Sequence, residues 1–94
     1  MSARYRVFES DEFLKQLGRL DASSRQFLQS KLTHQIYPQL REEPHFGRNL
    51  KRLRDYDPPT WRYRIGRFRL FFGIDEEELL VVILTISQRK DAYR

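Results

Sequence analysis

The stretch Trp61–Phe72, WRYRIGRFRLFF, constrains the fold more than any other part of the chain. Its side chains alternate with a period of two on either side of Gly66-Arg67, the signature of a β-hairpin closed by a two-residue loop that glycine opens. Such a loop sets the register by itself. Ile65 stands opposite Phe68, Arg64 opposite Arg69, and Arg62 opposite Phe71. Trp61, Tyr63, Ile65, Phe68, Leu70 and Phe72 then share one face, the expected core side. Arg62, Arg64, Arg69 and Phe71 share the other.

The flanking segments are read as the partners of that core row. Arg4–Phe8 is a short strand in which Tyr5 and Val7 alternate with arginines. Ser10 is a helix N-cap, with Asp11 and Glu12 in the first turn where the helix dipole favours acids. Phe13, Leu14, Leu17 and Leu20 form one helical face, and Asp21–Ser24 caps the next helix. Phe27, Leu28, Leu32, Ile36 and Leu40 extend a helical stripe to about Tyr37, where Pro38 is expected to end the helix. Residues 41–59 read as irregular, holding three of the four prolines, Gly47 and a short structured turn at Asn49–Leu53. The acidic run Asp75–Glu78 turns the chain into Leu79–Ser87, which is apolar on both faces and belongs inside the sheet. The expected fold class is α+β: strand–helix–helix–three antiparallel strands, a two-helix hairpin packed on one face of a small, mostly antiparallel sheet.

At 94 residues the chain is expected to form a single domain, 1–94. It contains no cysteine, which excludes disulfides, thiolate metal sites and a thiol nucleophile. No segment is long and apolar enough to cross a bilayer as a helix, so a cytoplasmic protein with no membrane partner is expected. The two histidines, His34 and His45, lie in the second helix and in the loop, with no spacing that brings either to the hairpin. Neither a metal site nor a cofactor is expected.

A net charge of +5 favours contact with polyanions. The charge is also segregated: Trp61–Phe72 holds four arginines and no acid, and Arg48–Arg54 holds four more cations. Like charges placed directly across a sheet destabilise it. Folding gains nothing from Arg64 beside Arg69, whereas a phosphate gains bidentate hydrogen bonds from both. Pairing through the acidic turn is expected to set Thr85 near Arg69. The chain leaving at Gln88-Arg89 then brings Arg89, Lys90 and Tyr93 to Arg64 and Arg69, with Phe71 as a platform for stacking a base.

WRYRIGRFRLFFGID followed by LLVVILTISQRKDAYR resembles the C-terminal half of the RelE/ParE toxins of type II toxin–antitoxin systems, and PHFGRNLKRLRDYDPPTW resembles the loop that precedes it. The resemblance is to the RelE branch. It implies a ribosome-dependent endoribonuclease that needs no metal and cleaves mRNA by attack of a ribose 2′-hydroxyl on the adjacent phosphate. It implies as partners a cognate antitoxin and mRNA on the ribosome, with 16S rRNA contacts. By motif, Arg62 and Arg64 fall on the family's basic positions, Arg69 on the arginine of its YR(L/V) segment, Arg89 on the arginine after the last strand and Tyr93 near the tyrosine beyond. Arg64, Arg69, Arg89 and Tyr93 are accordingly the expected catalytic residues. Arg62, Phe71, Lys90 and Arg67 are the expected substrate-binding residues. RelE itself has lysines at the places of Arg62 and Arg64, and many relatives have histidine at that of Gln88. Since arginine is a poor general base, Tyr93 is the candidate base and Lys90 the second choice. Two other readings stay open: a ParE-like inhibitor of DNA gyrase without nuclease activity, and a degenerate RNA-binding member.

Overall fold

The computed structural model describes Arg4–Gln88. Strand β1 (Arg6–Glu9) is followed by helix α1 (Asp11–Arg19) and helix α2 (Ala22–Lys31). A π-helical turn (Leu32–Ile36) joins α2 to α3 (Tyr37–Glu42), and then come β2 (Leu50–Arg52), β3 (Trp61–Ile65), β4 (Phe68–Asp75) and β5 (Leu80–Gln88). The sheet order is β1–β5–β4–β3–β2, antiparallel throughout except that β1 runs parallel to β5. The α+β class is as expected, with the helices on one face.

The caps fall where the sequence puts them. Ser10 Oγ accepts from the Phe13 N–H at 3.1 Å, and an Asp21 carboxylate oxygen accepts from the Ser24 N–H at 3.1 Å. Pro38, by contrast, does not end the helix. The Tyr37 N–H reaches the Leu32 carbonyl, a step of five residues, so the chain widens for one turn. Pro38 then enters α3 in its first turn, where no N–H is needed. Through this rod Leu28, Leu32, Ile36 and Leu40 stay buried. Two residues of the apolar stripes, Leu14 and Phe27, are instead 45% and 42% exposed. The stripe is therefore narrower than their hydrophobicity suggests.

Inside the core, Phe13, Leu28, Ile36 and Leu40 meet Leu70, Phe72, Val81 and Ile83, all essentially fully buried. Each such side chain contributes about 1.5–3 kcal/mol of transfer free energy. Trp61 stacks on Phe72 with ring centroids 6.3 Å apart. The hairpin register is the expected one, Trp61↔Phe72 through Ile65↔Phe68. Gly66 has φ +57° while Arg67 does not share a positive φ, which requires glycine only at the first loop position.

Two features differ from the expectation. The segment read as a structured turn is the short strand β2, paired with β3, so the sheet has five strands. The β4–β5 register is shifted as well: Arg69 pairs with Ser87, and Thr85 pairs with Phe71. The shift has two sources. The turn is closed by Asp75↔Leu80, with the Glu77 and Glu78 N–H groups donating to Asp75 Oδ1 and Leu79 at φ +52°. A bulge then inserts one residue into β5, since Phe72 pairs with Ile83 but Phe71 with Thr85, leaving Leu84 between them. Ser10 holds that bulge: its N–H donates to the Ile83 carbonyl and its hydroxyl to the Leu84 carbonyl.

Candidate nucleic-acid interface

The helices cover the face of Trp61, Tyr63, Ile65, Phe68, Leu70 and Phe72, all of which are buried. The opposite face bears Arg62, Arg64, Arg69 and Phe71, as the alternation requires. Arg64 and Arg69 are direct cross-strand partners, and so are Arg62 and Phe71. The bulge matters here. In an unbulged register Leu84 and Ile86 would stand beside Phe71 and Arg69; with the bulge, the hydroxyl residues Thr85 and Ser87 do.

Arg62 shows how these cations are held. Its Nε is buried and has no hydrogen-bond partner among the described residues. Burial first, and the Arg64 and Arg69 guanidiniums next, push its pKa below the ordinary arginine value. No described carboxylate is ion-paired with Arg62 or Arg64. The hairpin thus offers a set of donors with no acid interleaved in its own sequence, able to bind and polarise a phosphate but poorly suited to accept a proton.

Arg67 is turned the other way. Its guanidinium lies 5.4 Å over the Phe68 ring and donates to Ser24 Oγ at 3.1 Å, tying the hairpin tip to α2 on the helical side. Arg67 is therefore not brought together with Arg62, Arg64 and Arg69. Arg89, Lys90 and Tyr93 lie outside the described residues. Gln88 pairs with Phe68 and lines a cleft with Gln16, Arg19 and Leu20.

His45 departs from expectation too. Its ring stands edge-on to Trp61 at 5.9 Å and to Tyr5 at 6.0 Å, beside the hairpin. Both ring nitrogens are engaged, Nδ1 with Glu43 at 2.9 Å and Nε2 with Glu76 at 2.6 Å. The Tyr5 hydroxyl donates to the other oxygen of Glu76 at 2.8 Å. With no free nitrogen, on the side of Trp61 that faces the core, His45 joins a loop to the acidic turn and does not serve the arginine face. His34 is exposed, its Nδ1 3.0 Å from the Ser30 carbonyl. Among the described residues no group of three or more His, Cys, Asp or Glu could hold a metal ion. No described helix is long and apolar enough to cross a membrane.

Lys51, which sequence reasoning does not single out, pairs directly with Arg62. Leu50 packs against the core and Arg52 lies 5.5 Å over the Trp61 ring, so Lys51, between them in the alternation, belongs to the arginine face. The signal available is the cation density of 48–54; three residues are too few to display a period.

The chain belongs to the family described as the ParE toxin of type II toxin–antitoxin systems, parDE, whose model matches residues 7–93. Its fold is that of the RelE toxins within the same superfamily. The toxin–antitoxin complex RelBE2 of Mycobacterium tuberculosis contains a chain 27% identical, with a TM-score of 0.70 and 95% of each chain covered. The archaeal RelE–RelB complex of Pyrococcus horikoshii aligns at 19% identity and TM-score 0.68, covering 92% of this chain and 96% of that one. The isolated E. coli RelE toxin aligns at 21% and 0.65, covering 89% and 83%. These last two are likenesses of fold. No curated protein sequence matches the chain.

Proposed function

We propose that this toxin is a metal-independent endoribonuclease that cleaves mRNA on the ribosome and so stops translation. The observation that supports it most is the clustering of Arg62, Arg64 and Arg69 on one face of the hairpin, with the Arg62 Nε buried and unsatisfied among the described residues. An unpaired buried donor is costly, and a phosphate oxygen would complete it. In the reaction the 2′-oxygen bonds to the adjacent phosphorus and the P–O5′ bond breaks. The products are a 2′,3′-cyclic phosphate and a 5′-hydroxyl. The proton leaves the 2′-hydroxyl for a base, and one is delivered to the 5′-oxygen. Arg64 and Arg69 stabilise the charge that builds on the phosphorane, and Phe71 stacks a neighbouring base. By resemblance to the RelE branch, Arg89 joins the phosphate contacts, Lys90 adds charge, and Tyr93 is the base. Arg67 serves the fold of the hairpin tip.

With a tyrosine as base, much of the rate must come from positioning by the ribosome. That target places the protein in the cytoplasm. Its inhibitor is a cognate antitoxin, as the RelE chains of the Mycobacterium tuberculosis and Pyrococcus horikoshii complexes are bound to theirs.

Primer extension on an mRNA translated in a cell-free system tests the reading. Cleavage within codons should need ribosomes and vanish in Arg69→Ala. Intact mRNA and unimpaired translation would sink it. The second reading, a gyrase inhibitor that cuts no RNA, is favoured by the match to the ParE family model and would then show in a supercoiling assay.

A further inference from the structure

We infer that β2 adds a phosphate-binding position to the arginine face: Lys51 and Arg62 together hold a backbone phosphate of single-stranded RNA next to the one gripped by Arg64 and Arg69. This rests on the reading of that face as an RNA site and extends it by one nucleotide.

The argument begins with the register. Lys51 and Arg62 are cross-strand partners, as are Arg62 and Phe71, and Phe71 and Thr85, so four strands contribute one row: Lys51, Arg62, Phe71, Thr85. Arg64, Arg69 and Ser87 form the neighbouring row. The rows are two residues apart along β3, about 6.7 Å. That is the scale on which successive phosphates follow one another along an extended strand. Within a row, paired Cβ atoms lie about 4.5–5.5 Å apart, close enough for two cations to reach one phosphate.

A lysine on an edge strand has a simpler explanation, since edges are commonly guarded by charge against pairing with other chains. That accounts for a lysine somewhere on β2, and Arg52 already supplies a cation there. It does not account for placing Lys51 across from a guanidinium that is already partly desolvated, crowded by Arg64 and Arg69 and lacking a partner at its buried Nε among the described residues. Each added cation makes that position worse for the free protein. An anion seated between them reverses the sign. Phe71, beside Arg62 on the same row, provides the apolar surface for the base between the two phosphates.

The test is fluorescence anisotropy with a labelled RNA of roughly ten nucleotides, 2′-O-methylated throughout to prevent cleavage, at about 50 to 200 mM salt. Lys51→Gln should weaken binding and lower the slope of log K against log salt by roughly 0.7, the share of one phosphate contact on a single strand. Lys51→Arg should restore both, and Lys15→Gln on α1 should change neither. Lys51 and Lys15 are exposed, so all three variants should fold, which circular dichroism checks. If Arg64→Gln weakens binding while Lys51→Gln keeps the wild-type slope, this inference alone is overturned. If the wild type shows no salt-dependent RNA affinity, or Arg64→Gln binds as the wild type does, the face does not grip single-stranded RNA and this inference is overturned, while the reading of cleavage on the ribosome stands or falls by primer extension. Binding of an acidic peptide but no RNA has the same consequence.

Discussion

His45 illustrates how a single side chain ties pH to stability in this fold. A neutral imidazole has one N–H and one lone pair, so it can donate to Glu43 or to Glu76 but not to both. Only the imidazolium satisfies the two carboxylates. Its pKa is accordingly raised above the ordinary 6.5, by the Glu76 hydrogen bond chiefly and by Glu43 as well, with burial opposing. Glu43 and Glu76 are held below 4.5, chiefly through their hydrogen bonds to His45. The signs follow. The histidine's contribution is complete below its unfolded pKa and is lost as pH rises through the folded value. The glutamates' contributions are present above their unfolded pKa and are lost as pH falls through the folded values. Urea unfolding should therefore find the stability gap between wild type and His45→Gln widest in mildly acidic buffer and closing as pH rises past the folded pKa of His45. A gap that grows toward alkaline pH would refute this. Gly66 makes a second residue-scale prediction. A Cβ there would meet the Phe27 ring at 3.6 Å, ordinary contact, so the cost of Gly66→Ala is the left-handed backbone. That is about 1–2 kcal/mol, a fall in Tm of several degrees for a chain of this size.

Among the elements, those with local signals are legible in the sequence and those set by long-range pairing are not. The Ser10 and Asp21 caps and the Gly66-Arg67 turn each rest on two to four adjacent residues. The face of every residue in β3 and β4 follows from that turn. Strand β2 is hidden because three residues show no periodicity, and what makes it a strand is its pairing with Trp61–Tyr63. The continuation through Pro38 is hidden because a wider turn, not a residue type, makes room for the proline. The bulge in β5 lies beyond reach for a similar reason. Apolar residues on both faces of Leu80–Ile86 leave the phase of the strand undetermined, and the run reads equally well in either register. Its anchor is Ser10, whose hydroxyl serves the α1 cap and the Leu84 carbonyl at once. Ser10→Ala should thus cost about 1–2 kcal/mol, toward the upper end for an N-cap, in chemical denaturation. Ser10→Asp should keep the cap but lose the donor to Leu84, falling between the two.

For the molecule as a whole, one face of the sheet is given to folding and the other to charge. Legibility divides the same way. Alternation alone places Arg62, Arg64, Arg69 and Phe71 together, whereas Arg67, in the turn, obeys no alternation and reaches back to Ser24 instead of joining them. Lys51 escapes notice along with its strand. The division predicts opposed effects of one substitution. Arg64→Thr removes a like-charge pair and adds a β-branched residue, so thermal unfolding should show unchanged or raised stability, by up to about 1 kcal/mol. The same variant should lose RNA cleavage. A clear loss of stability would mean that the arginines serve the fold.

The bulge at Leu84 also bears on how such a face can change in descent. Losing one residue from the middle of a strand ordinarily turns everything beyond it to the opposite side of the sheet. At Leu84 the rule fails, because that residue has no place in the ladder to vacate. Were it lost, Ile83 would still meet Phe72, Thr85 would still meet Phe71 and Ser87 would still meet Arg69, with the strand merely straightened. A lineage that kept every residue but ironed out the bulge would fare worse, since Leu84 and Ile86 would then be the neighbours of Phe71 and Arg69. Length and lining are uncoupled at this one point, and a gap there between related chains would mark a straightened strand and not a damaged site.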